Sequence, residues 1–274
     1  MIRLDRIRTT ANVPVSFRGT KRVERENELI GLRRAGTLVF KSAQWKAAKP
    51  GLKAEARGKC AYCESRASAG YPCDVEHVRP KDVHWWLAWC YENYAFSCFL
   101  CNNKKSNQFP RSGVNWPVPS ATTPIATLAG TLTPDPIDAA AGLGSAQYAA
   151  RHRAEDAHLL HPYLDDPATL LAFEADATEE AVTVVPRPGN AAASRAVTAL
   201  IDCCDINRDD LSRDRYERFE LLEVVKDAWL ARNALPPATV ATAKEKLLLA
   251  QSPRRPYSAM ATYFIRDVWN LDLT

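Results

Sequence analysis

Eight cysteines are spread over the 274 residues, and four of them form two short-range pairs: Cys60 and Cys63 in CAYC, Cys98 and Cys101 in CFLC. A CxxC turn brings two thiolates to one side of a tight loop, and two such turns complete a tetrahedral four-sulfur site suited to zinc. One pair alone would read as a redox couple; two in one stretch of chain point to a structural Zn²⁺. Cys73 and Cys90 read as small buried hydrophobes and as first substitutes should one turn be misassigned. Cys203 and Cys204 read as buried helix residues. Between the two turns runs CDVEHVRPKDVHWW (73–86), with an acid directly before a histidine. A neutral imidazole, with its ordinary pKa of about 6.5, can take a proton from water near neutrality. A carboxylate beside it can hold a hard cation. Acid–histidine pairs are common by chance, so Glu76-His77 takes its meaning from its flanks.

Three pieces lie in order here: VEHVRPK (75–81), ENYAFSC (92–98) and CNNKK (101–105). Together with the two cysteine turns they resemble the HNH endonuclease family, over roughly residues 58–109. The resemblance implies a zinc-clamped ββα-metal module holding one catalytic divalent cation, Mg²⁺ or Mn²⁺. On that implication His77 is the general base, Glu76 and Asn102 are ligands of the divalent cation, and Asn93 fixes the histidine loop by hydrogen bonding. Lys105, Lys81 and Arg79 are the candidates for contact with nucleic acid. Two positions depart from the family pattern. Glu76 stands where Asp is common, one methylene longer, and Asn102 stands where His is the commonest type. Asn keeps a carbonyl oxygen, which favours hard ions. Asn103 competes with Asn102 for the ligand role. Phosphodiester hydrolysis needs both parts of such a site: a nucleophile at neutral pH, and neutralisation of charge growing on the phosphate and the leaving oxygen.

HPYLDDP (161–167) and INRDDL (206–211) narrow the resemblance to the HNH proteins that serve as nuclease subunits of Septu-type antiphage systems. That family implies an ATPase partner. The chain itself carries no GxxxxGK[ST] loop for a nucleotide. Asp165 and Asp166 read first as turn or cap residues before Pro167. His84 reads as structural, and Trp85, Trp86 and Trp89 as core before base-stacking platforms.

The elements that must position these residues follow from composition and pattern. Hydrophobic content of 46% and charged content of 25% belong to an ordinary globular chain. No apolar run reaches the length of a membrane helix, roughly 20 residues. MIRLDRIRTT lacks an apolar run behind its early charges, so a cytoplasmic location is expected. Net charge is +4 but uneven: residues 1–59 hold 15 Lys and Arg against 5 Asp and Glu. That basic head suits either a phosphate-binding arm or a solvated helical surface. The expected fold is α+β, in four parts: a partly helical basic segment (1–57), the zinc-clamped module (58–109), an irregular Pro/Thr/Gly/Ala-rich linker or insertion (110–150), and a short β-hairpin followed by helices (151–274). Asp205 and Asp209 are helix-cap candidates.

The function expected is metal-dependent cleavage of nucleic acid, DNA before RNA, with an ATPase partner and no membrane. Two rivals stay open: a zinc-stabilised module that binds nucleic acid or a partner without cutting, and a nuclease acting on RNA or tRNA.

Overall fold

A computed structural model describes residues 1–68 and 72–273. The order of elements is α1 (Gly19–Arg34), α2 (Lys49–Glu55), β1 (Cys73–His77), β2 (Tyr94–Cys98), α3 (Phe99–Lys105), α4 (Ile125–Leu128), α5 (Ser145–Glu155), β3 (Leu171–Asp176), β4 (Ala181–Pro186), α6 (Ala191–Cys204), α7 (Asp209–Leu230), α8 (Pro237–Ala250) and α9 (Ser258–Tyr263). A π-helical turn, Phe264–Val268, continues α9. The chain is therefore α+β, with two small antiparallel sheets of two strands each among the described residues.

The two hairpins are built differently. In β1 and β2 almost every residue is buried, on both strand faces, because α2 and α3 pack against the pair. Its register sets Glu76 opposite Ala95 and His77 opposite Tyr94. In β3 and β4 one face is buried, through Phe173, Val182 and Val184, while Glu174 is exposed. That alternation is the period-2 signature of a sheet covered on one side, here by α6 and α7.

Asn190 caps α6 by accepting from the Ala192 backbone N–H. Asp205 closes the same helix in a left-handed conformation, φ 50°, which short polar side chains tolerate. It thus ends α6 rather than starting α7.

One continuous core joins the cysteine-rich segment, β3–β4 and helices α6 to α9. A second core gathers Leu29 and Ile30 of α1, Trp85, Trp86, Trp89, Trp116 and Tyr148. The tryptophans are thus interior side chains. Residues 110–150 are mostly irregular yet anchored. The Glu26 carboxylate accepts from the backbone N–H of Gly130, Leu132 and Thr133 and from the Thr133 hydroxyl, while Arg22 donates to the Thr133 carbonyl.

Part of the basic head is turned inward as well, although eight of its fifteen Lys and Arg are exposed. Arg6 donates to Glu55 at 2.8 Å and to Glu92 at 3.2 Å, and its guanidinium lies over the Tyr163 ring. Arg22 pairs with Glu26. Arg6 and Arg22 are thus not part of a free cationic arm. No helix among the described residues is long and apolar enough to cross a membrane.

Candidate active site and metal centre

Cys60 and Cys63 sit in a turn closed by hydrogen bonds from Cys60 N–H to the Ser65 carbonyl and from Glu64 N–H to the Cys60 carbonyl. Ala61 N–H donates to the Phe96 carbonyl, which ties this turn to β2. Cys98 is the last residue of β2 and the N-cap of α3; Cys101 follows in the first turn of that helix. The four sulfurs lie within 4.8 Å of one another and all four residues are buried. The Sγ atoms of Cys63 and Cys98 are 3.8 Å apart. A tetrahedral zinc with Zn–S bonds of about 2.3 Å separates its sulfurs by roughly the same distance. The group fits, and these four residues could hold a structural metal such as zinc.

Their protonation is shared. Hydrogen bonds from Cys101 and its neighbours pull the Cys63 thiol well below its ordinary value, while burial pushes Cys60 up. Four thiolates around a divalent ion leave net negative charge, and two arginines stand near it. Arg208 Nη1 approaches Cys101 Sγ at 3.9 Å. The buried Arg215, which donates to the Ile206 carbonyl at 2.9 Å, feels the Cys63 charge. Cations placed just outside the ligands in this way tune a thiolate site.

The other cysteines are not among the four, although Cys73 stands across the hairpin from Cys98. Burial pushes the Cys73 and Cys90 thiols up to about 12, and raises that of Cys204 as well.

The hairpin carries the acid–histidine pair to the end of β1. His77 is 8% exposed, with its ring edge-on to Trp45 and Tyr94 at centroid distances of 4.8 and 5.0 Å. Its Nε2 lies 2.9 Å from the Ala88 carbonyl, which also accepts from the Tyr94 hydroxyl. A carbonyl can only accept, so Nε2 carries the proton and Nδ1 keeps its lone pair. Burial holds the imidazole down at about 3, so it is neutral throughout the physiological range.

Glu76 is buried too, and burial raises its carboxyl above the usual range. The Lys105 ammonium lies 2.7 Å from Glu76 Oε1 and donates to the His77 carbonyl at 2.9 Å. Asn102 precedes Lys105 by three positions, so the two share a face of α3. Asn102 is half-buried, whereas Asn103 is exposed. The face that meets Glu76 therefore carries Asn102 and Lys105.

Asn93 is fully buried and brackets one residue of the loop after β1. Its Oδ1 accepts from Arg79 N–H, and its Nδ2 donates to the carbonyls of Arg79 and Leu87.

Two cations expected at a phosphate surface lie inside instead. Arg79 is 0% exposed, bonded to Glu155 through Nε at 2.8 Å and Nη2 at 2.6 Å. Lys105 is 0% exposed against Glu76. An unpaired buried charge is costly, and each is matched by a carboxylate. Only Lys81 keeps the expected half-exposed position, with its ammonium near Phe40 and Trp45, the ring that touches His77.

Arg79 opens a network that no local pattern announced. Glu155 also lies near His84 Nε2 at 3.8 Å. Arg79 Nη2 meets His152 Nδ1 at 3.0 Å, and His152 Nε2 meets Asp165 at 3.0 Å. Asp165 accepts from His161 N–H, and Asp166 caps the next turn through Ala168 N–H. Thus HPYLDDP braces the loop that follows His77. The α5 histidine and acid, His152 and Glu155, were missed because α5 falls at the end of a stretch with weak helical signals. The pairing of a buried Arg with a distant Glu leaves no spacing to read.

No family model matches the chain. It is similar to the Septu protein PtuB of Bacillus mycoides (strain KBAB4), 36% identical over 73 residues. The match takes in 22% of this chain and 25% of that protein, so the chain spans about a quarter of the length of this relative. The likeness supports a Septu-like relationship.

Proposed function

We propose that this chain is a metal-dependent HNH endonuclease, hydrolysing phosphodiester bonds of DNA, and that it serves as the nuclease component of a Septu-type antiphage defence system beside an ATPase partner. The observation that carries the chemistry is the orientation of His77: its Nε2–H is committed to the Ala88 carbonyl, which leaves Nδ1 as the ring nitrogen with a lone pair. In this reading Nδ1 accepts a proton from water as the water oxygen attacks phosphorus and the bond from phosphorus to the 3′ oxygen breaks. A hard divalent cation, Mg²⁺ or Mn²⁺, held by Glu76 and Asn102 would neutralise charge on a non-bridging phosphate oxygen and on the departing 3′ oxygen. Asn93 holds the Arg79 backbone, and with it the loop leading from the base. Lys81 is the cation that meets the phosphate. The order β1, β2, α3 supports the assignment to a ββα-metal module, and the likeness to a Septu protein supports the setting.

A second reading has its own observation. The Lys105 ammonium already neutralises Glu76, as it would in a zinc-stabilised binding module that holds nucleic acid or a partner without cutting. The two part in one assay. The nuclease cuts DNA with added Mg²⁺ or Mn²⁺, and His77→Ala slows cleavage on the order of a hundredfold or more with metal content and cooperative unfolding unchanged. Wild-type protein that leaves DNA and RNA intact at every divalent concentration leaves the binding module. Faster cleavage of RNA than of DNA shifts the substrate and keeps the base.

A further inference from the structure

Arg6, Arg22 and Arg79 are each matched by a carboxylate, but one cluster of cations is not. A cavity of about 760 Å³ opens between α2 and the turn after α8, and its wall carries Lys53, Arg57, Arg66, Arg254, Arg255 and Ser252, with no acidic side chain. These cations come from three separate segments: the end of α2, the strap after the cysteine turn, and the turn that enters α9. Among the described residues none of the five forms an ion pair. Arg57 Nη1 is buried without any hydrogen-bond partner, and Arg57 itself takes a left-handed backbone, φ 53°, just past α2. A buried guanidinium nitrogen lacking a partner is costly unless an anion completes it. Five like charges around one cavity add mutual repulsion that a polyanion would relieve.

We infer that this cavity is a phosphate-binding site that holds the backbone of a nucleic-acid strand at a distance from the scissile bond. Two observations choose a polymer over a free phosphoanion. First, the cavity is joined to the candidate active site by a basic edge of α2: Lys49 pairs with Asp74 of β1, Lys53 follows one helical turn later, and Arg57 stands just past the end of the helix. Second, the chain that enters α2 passes through Trp45, whose ring touches His77, so the same short segment borders both the histidine and the cavity. Arg is suited to this role because its planar fork binds two phosphate oxygens at once. The identity of the polymer rests on the nuclease reading; the anion site does not.

The test is binding of a labelled 20-base-pair DNA duplex to the full chain without added divalent cation, so that cleavage does not intervene. Arg254→Ala/Arg255→Ala is compared with wild type and with Arg195→Ala, which removes a surface arginine paired elsewhere. The double variant should bind on the order of tenfold more weakly at low salt. Its plot of log affinity against log salt should be shallower by roughly two, because each arginine removed leaves one phosphate un-neutralised. Its unfolding should stay cooperative, and Arg195→Ala should bind as wild type. Equal affinity and equal salt slope in the double variant overturn the site. If tripolyphosphate binds the wild type in a manner lost in the double variant, while DNA binding is untouched, the cavity takes small anions and the polymer assignment falls. A chain that loses DNA binding in the double variant yet never cleaves DNA refutes the nuclease reading and leaves the phosphate site standing. A chain whose double variant binds and cleaves as wild type does the reverse.

Discussion

The two β-hairpins of this protein solve the same problem by different means. A two-stranded hairpin is marginal in water and needs a covering partner. The hairpin β3–β4 finds it in apolar area: Phe173, Val182 and Val184 lie on α6, α7 and α9, and its strands are joined by a short turn whose N–H groups are met by the Asp176 carboxylate. The hairpin β1–β2 is joined through a long excursion, residues 78–93, and is tied by four thiols and by polar groups that have no access to water. Apolar cover tolerates substitution so long as volume is kept. Polar and thiolate cover does not, because each group depends on a specific partner. The hairpin that carries the acid–histidine pair is thus the one whose integrity hangs on particular atoms.

Chelation should sharpen this contrast most. Structural zinc contributes directly to folding free energy. Removing metal, or Cys98→Ser, should therefore abolish amide protection in 73–77 and 94–98, while 171–176 and 181–186 keep theirs to a later stage of unfolding. Hydrogen exchange resolves the two, and simultaneous loss from both hairpins would break the comparison.

Asn93→Ala comes next. It strips three hydrogen bonds from buried backbone groups, at about 1–3 kcal/mol for groups left unsatisfied. Cleavage should fall along with stability, since the loop beyond His77 loses its brace. An Asn93→Ala protein with wild-type melting and wild-type cleavage would show the bracket to be idle.

Acid should act more gently, and again on the polar side. Burial holds His84 down at about 4 and His161 well below its ordinary value. The unfolded chain then takes up protons that the folded chain refuses. The contribution of these histidines is complete above the unfolded value of about 6.5 and is lost as pH falls below it. Below the ordinary carboxylate range Glu64, held at about 2 by the charges around it against the cost of burial, adds a loss of the same sign. Melting temperature measured from pH 7 down to pH 4 should fall steadily. A flat profile would mean that these groups are solvated in solution.

What could be read in the sequence was whatever is local. The cysteine turns are pairs three residues apart, and their four sulfurs do gather. The α+β character, a short hairpin from the runs LLAFEA and AVTVVP, and the helices after Asn190 follow from patterns a few residues long. The fates of Arg79 and Lys105 were not legible. Both look like surface cations from their neighbours, and both are interior because Glu155 and Glu76 wait far away in the chain. The same holds for the basic head. Counting charges left an arm and a solvated helical surface both open, and could not show that Arg6 and Arg22 are consumed by Glu55, Glu92 and Glu26. Unpaired cations collect instead where three distant segments meet, which a count along the chain cannot see. Residues 110–150 carry little periodicity because their backbone is held by one carboxylate of α1 rather than by a pattern of their own.

Cys98 belongs at once to a strand end, a helix start and the sulfur cluster. During synthesis the first two cysteines emerge some forty residues ahead of the last two, so a nascent chain holds only half a cage. Half a cage leaves the end of β2 and the start of α3 without their shared anchor, so the order in which the sulfurs appear would set the order in which turn, strand end and helix start come together.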